Sequence, residues 1–103
     1  MANIFQCLPK SLDDEAFEIL LQKGDLKIER IISKGHTSPA TGWYDQAQDE
    51  WVMVLQGEAI ITLKDDNDYP LVSGDYMTIP AHTKHKVTWT IPELETIWLA
   101  IHY

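Results

Sequence analysis

Cysteine is nearly absent from this chain, and basic residues are outnumbered two to one by acidic residues. Cys7 is the single cysteine, so no disulfide can form within the chain. Eight Lys and Arg against sixteen Asp and Glu give a formal net charge of −8. This charge repels polyanions and removes the counterion release that drives most nucleic-acid binding. Nucleic acids are therefore excluded as partners.

Long apolar runs are also missing. The opening residues MANIFQCLPK lack the apolar region of a signal peptide, and no segment approaches the roughly 20 apolar residues of a membrane span. We therefore expect a cytoplasmic protein without a membrane partner. The length of 103 residues fits one domain with one core, residues 1–103. A core this small favours a homodimer that buries an apolar strand face.

The first 25 residues show the features of a short helix. Ser11 is a candidate N-cap and is followed by acidic residues, which suit the positive end of a helix dipole. Phe17, Leu20 and Leu21 are spaced three or four apart, and Gly24 stands where a helix would end. The pattern predicts an N-terminal helical segment within residues 1–25.

From Leu26 onward the apolar residues alternate with period two, which indicates strands. A loop rich in Gly, Pro and Ser follows at 35–42, and further strand-like stretches are separated by regular turns. These stretches are 50–63, interrupted by Gly57, and then 70–72, 76–79, 86–90 and 96–102. Many short strands with regular turns predict an all-β, antiparallel barrel or sandwich over residues 26–103.

Two spaced motifs lie within these strands. Gly74 is followed by Pro80 and His85, and Glu50 is followed by Gly57. In this order and separation they resemble the two half-motifs of the cupin superfamily, and most closely the small single-domain bacterial cupins. The resemblance covers roughly residues 26–103 and implies a cupin-type β-barrel, that is, a double-stranded β-helix or jelly roll.

The resemblance also implies a divalent metal inside the barrel, such as Mn, Fe, Ni or Zn, with Glu50 and His85 as ligands. The pattern of this chain departs from the family at the two histidines that precede the glutamate. Those positions hold Tyr44 and Gln46, or in the alternative spacing Trp43 and Asp45. Losing two imidazoles removes strong ligands for a first-row metal. Gln46 and a nearby turn histidine, His82, are the replacements we expect in a displaced metal site.

Three further side chains are candidates for binding a small-molecule ligand. Tyr44 and Gln46 share the parity of Glu50, so they face the same side if the stretch is extended. Trp43 beside Tyr44 would add an aromatic wall suited to a small polar compound. His102 follows Trp98 and Ala100 at period two and points inward if they do, either as a ligand-binding residue or as a core histidine with its hydrogen bonds satisfied.

Three classes of function are compatible with these residues. The first is a metal-dependent cupin enzyme that acts on a small polar compound, with the metal as a Lewis acid. The second is a metal-free protein that binds a small molecule in the cavity. The third is a dimerisation or interaction domain without catalysis.

Overall fold

The computed structural model describes all 103 residues as eight β-strands joined by turns and loops. The strands are β1 (Ala16–Lys23), β2 (Leu26–Ser33), β3 (Glu50–Gln56), β4 (Glu58–Leu63), β5 (Asp68–Val72), β6 (Tyr76–Ile79), β7 (His85–Thr90) and β8 (Thr96–His102). One sheet has the order β1-β2-β8-β3-β6 and the other the order β5-β4-β7. All neighbouring strands are antiparallel. The fold is therefore the all-β architecture that the alternating pattern predicted, and no segment is a helix able to cross a membrane.

The apolar core lies between the two sheets and follows the period-two pattern of the sequence. Alternate side chains of β3 and β4 point inward because successive side chains of a strand point to opposite faces. The buried cluster comprises Val52, Val54, Ala59, Ile61, Leu71, Ile79, Trp98 and Ala100. Glu50 continues the inward series of Val52 and Val54, which brings a carboxylate to the end of the core.

Gly57 is the single residue between β3 in one sheet and β4 in the other. Its φ angle is +94°, a conformation that residues with a side chain rarely adopt, and an added Cβ would lie 2.7 Å from the Thr96 Cα. Only glycine allows the chain to pass from one sheet to the other this close to β8. Gly57 therefore has a structural role in the fold.

The predicted N-terminal helix is wrong, because residues 16–23 form strand β1. This strand pairs with β2 through a two-residue hairpin, with Gly24 at φ +57° in the first central position. A bulge at Leu20 changes which side chains share a face, so the apolar spacing imitates a helical stripe. Pairing with β2 outweighs the local helical signal.

The N-terminal segment is fastened to the outer face of β2 by Arg30. The buried guanidinium donates hydrogen bonds to the carbonyl oxygens of Ile4, Gln6 and Cys7 and pairs with Glu18 at 2.7 Å. Because this segment covers the outer face, β2 is buried on both faces here, with Glu29 buried on the inner face and Arg30 on the outer face. The arrangement leaves Glu29 on the inner face, where it contributes to the site.

Candidate functional site

A cavity of about 80 Å³ lies at one end of the space between the sheets. Its apolar floor continues the core, and its polar side chains come from β2, β3, β7, β8, the loop before β3 and the residue just before β1. The polar and charged lining residues are Glu15, Glu29, Ser38, Tyr44, Gln46, Glu50, His85 and His102. Buried polar groups are costly unless they are paired, so this concentration of them marks a candidate binding site.

Glu50 and His85 meet in this cavity from different sheets. The Glu50 Oε1 atom lies 3.4 Å from His85 Nε2, and both side chains are almost fully buried. The other ring nitrogen of His85, Nδ1, donates a hydrogen bond of 2.8 Å to the Thr83 carbonyl oxygen. This bond fixes the orientation of the ring, so Nε2 is the atom presented to Glu50 and to the cavity.

The charge state of His85 depends on opposing effects. Burial lowers the pKa of its imidazole, but the hydrogen bond with Glu50, the bond to Thr83 and the charge of Glu50 outweigh burial. The pKa is consequently raised above its ordinary value. The neighbouring Glu50 carboxylate thus favours the protonated form of the His85 imidazole at the cavity wall.

A second carboxylate and imidazole pair lies beside the first. His102 Nε2 donates a hydrogen bond of 2.8 Å to Glu29 Oε1 and lies 3.6 Å from Glu50 Oε2. His102 is in the cavity, as the period-two argument predicted. Glu29 was missed, because its alternation with Leu26 and Ile28 suggested a solvent-facing position. Only the N-terminal segment over the outer face of β2 shows that Glu29 is the inward residue.

Tyr44 and Gln46 also line the cavity, and both lie in the loop that precedes β3 and Glu50. The backbone of Tyr44 forms a two-bond bridge with that of His85, and the two rings are 5.5 Å apart. Burial raises the pKa of the Tyr44 phenol, against the effect of a hydrogen bond with Ser38, so the hydroxyl stays protonated. The Gln46 Oε1 atom is buried and accepts no hydrogen bond. It is an acceptor available to a ligand.

Two predicted site residues lie outside the cavity. The His82 side chain is 70% exposed and its Nδ1 lies 2.9 Å from Asp45 Oδ1. His82 has a φ angle of +60°, so it occupies a turn position of the kind that glycine favours and turns away from the barrel. The Trp43 ring is covered by the Lys86 ammonium at 4.2 Å rather than facing a ligand. Neither side chain lines the cavity, which corrects the expected metal role of His82 and the expected binding role of Trp43.

The side chains as placed do not fit a divalent metal. His102 Nε2 donates a hydrogen bond to Glu29 and lies 3.6 Å from one Glu50 oxygen, while His85 Nε2 lies 3.4 Å from the other, so both imidazoles already face carboxylates. No group of three His, Cys, Asp or Glu side chains is arranged around a common point. Catalytic metal sites commonly use three protein ligands. The expected Mn, Fe, Ni or Zn therefore stays a prediction that the donor geometry does not support.

Comparison with known families decides the assignment. The sequence pattern of the Cupin domain family matches residues 29–102, which is most of the chain. The chain belongs to the cupin family. A solved structure from Ralstonia eutropha JMP134, described as a candidate mannose-6-phosphate isomerase, superimposes on this cupin with a TM-score of 0.93. The two sequences are 46% identical over 99% of this chain and 95% of that one.

More distant structures share the fold of this cupin. A cupin superfamily protein from Desulfitobacterium hafniense DCB-2 is 24% identical, with a TM-score of 0.75 over 92% of this chain and 82% of its own. An RmlC-like cupin from Desulfovibrio desulfuricans is 17% identical, with a TM-score of 0.77 over 99% and 94%. At these identities the likeness concerns the fold alone. No functionally curated protein matches the sequence at a significant level.

Proposed function

We propose that this cupin is an enzyme that binds a small hydroxycarbonyl compound in the cavity and isomerises it by proton transfer. The observation that carries the proposal is the buried pair of Glu50 and His85, whose facing atoms are 3.4 Å apart on the cavity wall. The 46% identical structure described as a candidate sugar-phosphate isomerase supports the reaction class. Isomerisation of an aldose to a ketose moves a proton between adjacent carbons and needs a positioned base and acid.

The two residues have complementary roles in this proposal. Glu50 removes the proton from the carbon next to the carbonyl, and the electron pair of that C–H bond forms the double bond of an enediol. His85 donates its Nε2 proton to the carbonyl oxygen. In the second half the neighbouring hydroxyl returns a proton to His85, a new carbonyl forms there, and Glu50 protonates the former carbonyl carbon. The reaction is redox-neutral and needs no external electron carrier.

Tyr44 and Gln46 are the residues we assign to substrate binding. The protonated Tyr44 phenol donates a hydrogen bond to a substrate oxygen, and the unpaired Gln46 Oε1 accepts one from a substrate hydroxyl. A site built to pair with hydroxyl groups discriminates against analogues that lack them, because its buried polar atoms are then left unpaired. His102, which is hydrogen-bonded to Glu29, lies 3.6 Å from Glu50, and we assign this pair to holding the Glu50 side chain in position.

The test is deuterium exchange at the carbon next to the carbonyl, followed by NMR in D₂O with dihydroxyacetone and glyceraldehyde as probes. We expect wild-type protein to catalyse the exchange, Glu50→Gln and His85→Gln to lose it, and the control Glu93→Gln on the exposed surface to keep it. Absence of exchange and of binding in the wild type would overturn the proposal.

Elemental analysis of untagged protein belongs to the same experiment. About one metal per chain, with activity lost on chelation, would replace the metal-free mechanism by the metal-dependent one.

We also propose that the protein is a homodimer joined through β1. This strand lies at the edge of the five-stranded sheet, so its outer backbone edge has no partner in the chain. Phe17 and Ile19 are 52% and 58% exposed, and Leu20 and Leu21 are exposed as well. A long apolar edge strand is a site of association unless it is covered. A second copy about a twofold axis supplies a matching edge, and Phe17 also lines the cavity mouth.

The cytoplasmic location stays a prediction.

A further inference from the structure

The charges around the cavity specify what kind of substrate it can hold. Three carboxylates, Glu15, Glu29 and Glu50, line it together with the two imidazoles of His85 and His102. No Lys or Arg is among the lining residues. Among the lining side chains the carboxylates outnumber the imidazoles three to two, so an anionic group inside meets more negative than positive charge from the lining itself.

None of the Lys and Arg side chains near the cavity lines it. Arg30 follows Glu29 in β2 and therefore points to the opposite face, where carbonyl oxygens and Glu18 occupy its guanidinium. Lys86 lies over the ring of Trp43. Lys27 reaches to 4.0 Å from Glu29 Oε2 without lining the cavity.

The usual devices for binding a phosphate are consequently missing from this site. Phosphate groups are held by Arg or Lys in charge-assisted hydrogen bonds, or by backbone N–H groups at a helix N-terminus. The chain has no helix, and the cavity has no cationic side chain from Lys or Arg. The unpaired Gln46 Oε1 and the carboxylates are acceptors, which call for a ligand that brings hydrogen-bond donors.

The volume of about 80 Å³ adds a limit on size. Clefts that hold drug-sized ligands measure roughly 300–1,000 Å³. The cavity therefore suits a molecule of a few carbon atoms better than a hexose phosphate.

We infer that the substrate is a short hydroxycarbonyl compound without a phosphate group, uncharged or cationic, and that this cupin differs in specificity from what the description of its 46% identical relative suggests. The reaction in this inference rests on the proposed function. The preference for substrates without phosphate rests on the charges of the residues that line the cavity. Glu15, Glu29 and Glu50 reject the anion, while Gln46 and the same carboxylates accept hydrogen bonds from hydroxyl or ammonium groups.

The experiment compares matched pairs of probes on the intact protein by ligand-observed NMR binding and by deuterium exchange. The pairs are dihydroxyacetone with its phosphate, glyceraldehyde with its 3-phosphate, and mannose with mannose 6-phosphate. We expect the uncharged member of each short pair to bind at least about tenfold more tightly than its phosphate, because carboxylates within several ångströms repel the dianion. We expect neither mannose compound to match the short uncharged probes.

A charge-reversal variant separates electrostatic exclusion from simple size. Glu15→Lys places a cation at the cavity mouth and should reduce the preference for the uncharged member by at least about tenfold. The control Glu93→Lys makes the same charge change on the exposed surface and should leave the preference unchanged.

Three outcomes are decisive. Preference for the uncharged probes, reduced in Glu15→Lys, supports the inference. Equal or tighter binding of the phosphates, with exchange still present, overturns the inference but leaves the proposed function intact. No binding and no exchange with any probe overturns the proposed function, and the inference with it.

Discussion

The cavity and the outer edge of β1 invert the usual distribution of polar and apolar groups in a small protein. The cavity buries Glu29, Glu50, His85 and His102, whereas β1 exposes apolar side chains such as Ile19. Each inversion carries an unfavourable free energy for the isolated chain, since buried charge is desolvated and apolar surface is hydrated. In our proposals a partner relieves each of them, a small donor-bearing molecule in the first case and a second copy of the chain in the second. The cavity and the β1 edge therefore differ in the kind of partner that we propose for each.

Replacing Glu50 is expected to have the largest effect on the cavity. Glu50→Gln preserves the shape but removes the base, so deuterium exchange should fall by about 10²- to 10⁴-fold. The rate of exchange in D₂O measures the change. Unfolding in urea serves as the control, because retained stability shows that the loss is chemical. A variant that exchanges at nearly the wild-type rate would contradict the role of Glu50.

Removing His102 should have the next largest effect, this time on stability. His102→Ala leaves the buried Glu29 carboxylate without its hydrogen-bond partner, and breaking such a pair costs about 3–5 kcal/mol in the free energy of unfolding. Urea denaturation measures the loss. The double variant Glu29→Gln with His102→Ala should recover part of it, because the uncompensated charge is gone. A double variant less stable than His102→Ala would show that the pair does not act as a unit.

A charge on β1 tests the other side of the comparison. Ile19→Lys places an ammonium on the exposed apolar edge and should raise the dimer dissociation constant by more than about tenfold. Light scattering at micromolar concentration measures the mass. Val72→Lys is the matched control, since Val72 is a similarly exposed apolar residue on β5, an edge of the other sheet. Wild-type protein that is monomeric throughout would contradict the dimer.

The pH dependence of stability reports on the same cavity pair. The pKa of His85 is raised in the folded state, so its contribution to stability is complete below the unfolded value of 6.5 and is lost as the pH rises through the folded pKa. The stability difference between the wild type and His85→Gln should shrink over this range. In Glu50→Gln the NMR titration of His85 should move to a lower pH, because the charge and hydrogen bond that raise the pKa are removed. An unchanged midpoint would show that Glu50 does not control His85.

Replacing Trp43 should have the smallest effect. The residue lies outside the cavity and is half-buried with Lys86 over its ring, a cation–π contact that contributes about 0.5–2 kcal/mol to stability. Trp43→Ala should therefore leave deuterium exchange unchanged within about twofold and lower stability slightly. Strong loss of exchange would return Trp43 to the binding site.

Much of the fold follows from local patterns in the sequence. The alternation in β3, β4, β6 and β8 reflects one face that is more deeply buried than the other, and Gly57 marks the change of sheet because only glycine fits beside Thr96. β1 is the exception. Its bulge at Leu20 places apolar residues at helical spacing, and only hydrogen bonding to β2, a nonlocal interaction, selects the strand.

In the candidate site, too, local sequence patterns predicted some features, and nonlocal interactions decided the others. By itself the sequence determined the family and the inward direction of Glu50, and it predicted that Tyr44, Gln46, His85 and His102 line the same cavity, because motif spacing and strand parity are local properties. The tertiary structure alone decided that Glu29 faces the cavity, since the N-terminal segment covers the other face of β2 through Arg30. It also decided that His82 and Trp43 face outward. Which face of a strand is buried, and which charges meet, depend on segments far apart in the chain, and no local pattern records them.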